Sequence, residues 1–402
     1  MTRIVMDVDT GIDDALALCY VLAARRDGEC ELLGVVGTYG NVLMSTAVRN
    51  SRAVLELFGD AAPSASAAPP AAGAALASAA VPVLRGCPCP SWADGFAVDE
   101  GCARFHGGNG LGNAKIPGTI PAAPLPDRAE RIPANADDGA ACNALPDRLV
   151  SSGATLSVGG ERRDVVSAAD LPVDRPVEWR DWNGPELPEG VRFIVDQVRT
   201  YGREVTVLAT GPLTDVDLAI QAAPDIVKQL KLVIMGGSLT QEGNCYDLIC
   251  ETNIFQDPEA ANRVFRSGAD VTMIGLDVTH QCLLTREHVE SWRSSGGERG
   301  RFLASMTDFY INANESSDPM FLAGSPLHDP LAAAVALDPS LVDCFDVNMM
   351  AETATGNGRG FRGRTIGDPT RLRDPRKTAH VALSVDAARF VGRFADRLAS
   401  LC

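Results

Sequence analysis

Residues 7–14 read DVDTGIDD, four carboxylates within eight positions, at the junction between an apolar run (3–8) and a helical pattern (12–25). Few folds tolerate that arrangement. Asp7 and Asp9 leave the C-terminal end of a short buried strand, and Asp13 and Asp14 fall in the first turn of the next helix. In open α/β sheets, ligands bind outside the carboxyl ends of the strands. Charges this close repel unless something offsets them. A hard cation does so, since Ca²⁺ takes about six to eight oxygen ligands, many of them carboxylates. The positive end of the helix dipole adds a smaller contribution. Helix-capping preference accounts for Asp13 or Asp14 singly, but not for Asp7 and Asp9 as well.

The rest of the chain repeats the strand–helix alternation. Residues 31–37 form the next strand candidate and 43–58 the next helix. From about 192 the pattern resumes: EVTVLATG (204–211), KLVIMGG (231–237) and DVTMIGLDV (270–278) read as strands. DPEAANRVFRS (257–267) reads as a helix with Asp257 as N-cap and Pro258 at its first position, and DPLAAAVAL (329–337) as a helix opened by Asp329 and Pro330. This alternation predicts an α/β fold with a Rossmann-like, mostly parallel central sheet flanked by helices. A single domain over 1–402 is expected, with two insertions. One, at about 61–81, is almost entirely Ala, Pro and Ser; the other, at about 114–190, is irregular, with one short hairpin candidate at 154–167.

Composition narrows the function. An apolar fraction of 46% supplies a core, while a formal net charge of −16 argues against nucleic acid or an anionic membrane as partner. Neither a signal-like N-terminus nor an apolar run of about 18 residues stands out. The eleven cysteines show neither a disulfide framework nor zinc-site spacing, Cys87 and Cys89 being the one close pair. They read as reduced thiols of a cytoplasmic protein.

Beyond DVDTGIDDALAL, an ordered set of motifs runs along the chain: GTYGNV (37–42), HGGNGLG (106–112), LATGPLTDVDLAI (208–220), IMGG (234–237), ETNIFQDPEAA (251–261), GLDVTHQ (275–281) and HDPLAAA (328–334). In order and spacing these closely resemble the inosine–uridine-preferring nucleoside hydrolase family, over residues 1–60, 82–113 and about 192–345. The resemblance implies hydrolysis of the N-glycosidic bond of ribonucleosides by calcium-activated water. It implies that Asp9 is both calcium ligand and general base, and that Asp14, Asp329 and the Thr210 backbone carbonyl complete the metal ligands, with Asp7 supporting them from behind. Asp13, Asn41, Asn244, Glu251 and Asn253 fit the family's ribose-binding positions. Their amide and carboxylate groups suit a polyhydroxylated sugar.

Of the five histidines, His328 directly precedes Asp329 and is the candidate general acid for the leaving base. His106 sits in a glycine-rich segment that reads as a flexible turn, with closure over the base as the other reading. His280 is expected to be structural, and His288 and His380 carry no functional expectation. The resemblance further implies a homodimer or homotetramer. The chain departs from the family pattern at Thr252, where a large aromatic is usual, which puts base preference in doubt. Two other functions remain open at this point: a non-catalytic nucleoside- or ribose-binding protein on the same fold, and a Mg²⁺-dependent haloacid-dehalogenase-type phosphohydrolase with Asp7 as nucleophile, suggested by D-x-D-x-T alone.

Overall fold

The computed structural model describes residues 1–59, 80–117, 129–130, 187–245, 248–295, 297–354 and 360–402. Eight strands form the central sheet: β1 (Thr2–Val8), β2 (Cys30–Gly37), β3 (Val83–Arg85), β4 (Val205–Ala209), β5 (Lys231–Met235), β6 (Asp270–Ile274), β7 (Val342–Val347) and β8 (Ala379–Val385). They lie in the order β3-β2-β1-β4-β5-β6-β8-β7. Every neighbouring pair is parallel except β7–β8. The expected α/β class and mostly parallel sheet are therefore present.

Strand sequences explain this placement. The last five residues of β1 and all five of β4 are buried, as befits parallel strands covered on both faces. Successive side chains alternate between two cores. Ile4, Met6 and Val8 join the core that also holds Leu208 and Met235, whereas Val5, Val207 and Ile234 point into the other. Helix α1 (Ile12–Arg26) is buried from Ile12 to Ala24. Its uniformly apolar sequence suits a helix enclosed by neighbours rather than one facing water. Helices α2 (Met44–Phe58), α3 (Glu100–His106), α4 (Glu189–Tyr201) and α5 (Thr214–Ala222) follow, then α6 (Thr252–Gln256), α7 (Pro258–Ser267), α8 (Leu276–Thr279), α9 (Arg286–Ser295), α10 (Glu298–Ser317), α11 (His328–Leu337) and α12 (Ala387–Ala399).

Some boundaries differ from expectation. The strand expected over 270–278 stops at Ile274, and α8 begins two residues later. The break falls at Gly275, where a Cβ would lie 2.6 Å from the Gly237 carbonyl oxygen. Helix α11 starts at His328, one residue early, while the Asp257 cap on α7 is as expected, its carboxylate accepting from Ala260 N. Most of both insertions, including the hairpin candidate at 154–167, lies outside the described residues. Within the second, Ala129–Glu130 pairs antiparallel with Phe96–Ala97. Nine cysteines are free thiols, as expected, but Cys89 is disulfide-bonded. Among the described residues, no helix is long and apolar enough to cross a membrane.

At the sheet's antiparallel edge, His380 of β8 sits between Asp270 of β6 (3.2 Å) and Asp346 of β7 (2.6 Å). The hydrogen bond to Asp270 is the main cause that raises the imidazole from 6.5 to about 9. A raised value means the charged ring favours the folded state. That contribution is fully present below about pH 6.5 and lost as pH rises through about 9. Replacing His380 with Gln should lower Tm by roughly 2 °C near neutral pH. Melting curves of both proteins should converge at alkaline pH; a gap independent of pH would rule out the charge as its source.

Candidate active site

The chain runs outward from β1 to β3 and returns as β4 on the other side of β1. A crevice opens at such a reversal, outside the carboxyl ends of the strands. Strand ends are tied together there: Thr38 N donates to Val8 O and Thr210 N to Asp7 O, both at 2.9 Å. Asp9 enters the crevice fully buried. Its Oδ2 accepts from Asn41 N (2.7 Å) and its Oδ1 from Asn41 Nδ2 (3.1 Å). This clasp requires glycine at position 40. The backbone there has φ +153°, and a Cβ would lie 1.9 Å from Asp9 Oδ2. Gly11 is held similarly, since its Cβ would meet His106 Nδ1 at 2.5 Å.

Asp14 accepts from Gly11 N (2.9 Å) and from Thr210 Oγ1 (2.7 Å), with Asn41 Nδ2 at 3.4 Å linking it to Asp9. Asp329 arrives on the first turn of α11 from the far end of the chain. Asp13, Asp14 and Asp329, all buried, present oxygens that lie within 4.8 Å of one another. Two of the three expected carboxylate ligands are thus adjacent, with Asp13, expected at the sugar, grouped beside them.

Burial is the main cause raising the pKa of Asp9, Asp13, Asp14 and Asp329, and neighbouring carboxylates add to it for Asp9, Asp14 and Asp329. Asp13 reaches about 6. Asp329 Oδ2 is buried without a hydrogen-bond partner. An orphaned buried carboxylate oxygen beside two other carboxylates is the donor set of a hard cation, so these residues fit a calcium ion.

The expected sugar-binding residues form the adjoining wall. Glu251 caps α6: Oε1 accepts from Asn253 N, and Oε2 from Gly237 N and Ile254 N. Asn253 Nδ2 donates to the Thr210 carbonyl (2.8 Å) and to the Met235 carbonyl (3.0 Å). Asn244 is exposed, its Oδ1 accepting from the amide and hydroxyl of Thr252. Asp7 lies behind the site, 1% exposed, with both oxygens lacking partners. Burial, then Asp215, holds its pKa well above the ordinary range.

His328 is buried, with Nδ1 2.8 Å from Thr279 Oγ1. Burial lowers its pKa well below 6.5, so the ring is neutral at pH 7. His280 packs edge-on against it, with ring centroids 5.6 Å apart. His106 is not part of a flexible turn: it closes α3 and is buried. Its Nδ1 accepts from Ile12 N at 3.1 Å, giving the first turn of α1 an acceptor that Gly11 cannot supply. Burial lowers it to about 4. Tyr310 and Thr279 have no counterpart in the sequence reading. Tyr310 OH donates to Asp13 Oδ2 at 3.2 Å, and its ring lies 5.6 Å from that of His106.

The profile of the family described as inosine-uridine preferring nucleoside hydrolase matches residues 4–392. The probable uridine nucleosidase 2 of Arabidopsis thaliana is 28% identical over 402 residues, covering 98% of this chain and 97% of that protein. The pyrimidine-specific ribonucleoside hydrolase RihA of Shigella boydii is 35% identical over 226 residues, 54% of this chain and 71% of the relative. Among solved structures, a purine-preferring ribonucleoside hydrolase from Gardnerella vaginalis superposes with a TM-score of 0.72 at 37% identity, covering 99% of this chain and 98% of that one. A plant nucleoside hydrolase, at 23% identity and a TM-score of 0.66, shares the fold over 99% of both chains. With the profile spanning nearly its whole length and the carboxylate crevice at the sheet's reversal point, this chain belongs to the inosine-uridine preferring nucleoside hydrolase family.

Proposed function

We propose that the chain hydrolyses the N-glycosidic bond of ribonucleosides to ribose and free nucleobase, with a calcium ion held by Asp9, Asp14, Asp329 and the Thr210 carbonyl. The observation carrying this reading is the buried carboxylate group at the β1–β4 crevice, with its unpartnered Asp329 oxygen. When bound, the cation supplies the charge that lowers the pKa of a neighbouring water toward neutrality.

Asp9 accepts that water's proton at Oδ1, the oxygen with the longer of its two bonds to Asn41. Asn41 N and Nδ2 hold that carboxylate in place. Asp13, Asn41, Asn244, Glu251 and Asn253 hold the sugar. Positive charge develops on the ribose ring as the bond to the base breaks. The carboxylates of Asp13 and Asp14 face that charge in a water-poor site where attraction is strong. His328 meets the leaving base through Nε2, because Nδ1 is engaged by Thr279. With the Thr279 hydroxyl donating to Nδ1, the neutral ring carries its hydrogen on Nε2 and can hydrogen-bond the base.

The phosphohydrolase alternative required Asp7 as nucleophile; Asp7 lies against Asp215 rather than with the grouped carboxylates of Asp13, Asp14 and Asp329, which argues against it. On the family resemblance we also read the enzyme as a homodimer or homotetramer, and on its nine free thiols as cytoplasmic.

Ribose release from inosine, adenosine, guanosine, uridine and cytidine, each assayed with calcium, tests the reaction and ranks the bases. No release from a folded protein would overturn the reading. Exhaustive chelation should abolish turnover and lower Tm, and added calcium should restore both, since a ligand bound only by the folded state stabilises it; full activity after chelation would exclude the metal. Asp9→Asn should reduce kcat by about 10³-fold in saturating calcium, in a protein whose melting curve still shows a cooperative fold. Near-wild-type turnover in that variant would remove Asp9 as base.

A further inference from the structure

The loop between β5 and α6 carries Asn244 and ends at Glu251. It is gripped by two opposite charges from other parts of the chain. Asp277 of α8 accepts from Leu239 N (2.8 Å), Thr240 N (2.7 Å) and Thr240 Oγ1 (2.6 Å). Arg364, far along the sequence, takes the carbonyl side. Its Nη1 donates to Ser238 Oγ (2.9 Å), Gln241 O (2.8 Å) and Ile249 O (2.9 Å), and its Nη2 to Leu239 O (3.1 Å). Leu239 thus has its N–H on a carboxylate and its C=O on a guanidinium. Next to Arg364, Thr365 Oγ1 donates to Ser238 O and accepts from Ser238 N.

These contacts span both ends of the loop, because Ser238 follows β5 while Ile249 lies two residues before Glu251. Among the described residues, three acceptors of Arg364 are backbone carbonyls and the fourth is the Ser238 hydroxyl, so it fixes mainly backbone. Only a planar fork with several fixed donors reaches acceptors spread in this way; a lysine ammonium presents a single point charge.

We propose that Arg364 is a positioning residue for substrate binding: it holds residues 238–241 and Ile249 of the β5–α6 connection so that Asn244 and Glu251 are presented to the sugar. This rests on the reading above that the two residues bind ribose. Contacts to the sugar made equally in ground and transition states affect KM rather than kcat. Loosening the loop should therefore weaken binding without disabling the base or the metal ligands, which lie on other elements.

The test is steady-state kinetics of Arg364→Ala, Arg364→Lys and Glu251→Gln with the best ribonucleoside, in saturating calcium, alongside melting curves. Arg364→Ala should raise KM about tenfold with kcat within roughly threefold of wild type, and Arg364→Lys should fall between. If the alanine variant does not fold, the lysine variant is read by the same criterion. A lowered Tm with unchanged KM would make Arg364 structural only and overturn the inference. If Glu251→Gln raises KM and the folded Arg364 variants do not, the inference alone falls. If Glu251→Gln is silent as well, the sugar-binding role of the loop fails and takes the inference with it.

Discussion

The mutual repulsion of buried carboxylates at the β1–β4 crevice is the constraint around which this molecule is arranged. Asp9, Asp13, Asp14, Asp329 and Glu251 are all buried, and removing ionised groups from water costs several kcal/mol apiece even after relaxation. The chain offsets this unevenly. Glu251 receives three backbone N–H groups. Asp14 receives the Gly11 amide and the Thr210 hydroxyl, and Asp9 is clasped by Asn41. Asp329 Oδ2 receives nothing. Within the Asp13–Asp14–Asp329 group the deficit therefore falls on Asp329, where three carboxylates converge and a cation would gain most. Metal binding at such a site is coupled to folding, so carboxylate repulsion there favours a bound cation.

What was legible in the sequence follows from range. The β1–α1 segment carries its message locally: strand, tight turn and helix start are adjacent, so the location of Asp9, Asp13 and Asp14 could be read from spacing. The cap at Asp257–Pro258 was legible for the same reason. His106, Tyr310 and Thr279 were not. The His106 contact to α1 spans 94 positions and the Tyr310 bond to Asp13 spans 297. Nothing in the α10 sequence distinguishes Tyr310 from an ordinary core aromatic. The glycines after His106 suggested mobility, yet the histidine itself is fixed by an N–H it alone can satisfy. Tertiary contact, rather than local preference, decides such positions.

The same limit applies to Arg364, which lies in a Gly- and Arg-rich stretch outside the motifs quoted from the sequence. Its importance comes from where its four acceptors have been brought by the β5–α6 loop. A loop with backbone groups facing inward must find partners for them. Here charged side chains from α8 and the C-terminal region supply them. The departure at Thr252 belongs to this arrangement as well: its amide and hydroxyl bind Asn244 Oδ1, so a position that usually carries an aromatic instead ties the loop's rim to the helix after it.

Asn253 joins the two halves of the site. Asn253, expected at the sugar, donates through its amide nitrogen to the carbonyls of Thr210 and Met235. A carbonyl oxygen has two lone pairs, so accepting from Asn253 leaves Thr210 free to face a cation with the other. The bond fixes the orientation of that peptide, as partners behind metal ligands do generally. Asn253 Oδ1 takes no part in these bonds, which leaves its acceptor side for a ribose hydroxyl. Asn253 thus ties the Thr210 carbonyl, through its side chain, to Glu251, through its backbone N–H, and on the proposed function a change at position 253 would act on both the metal and the sugar.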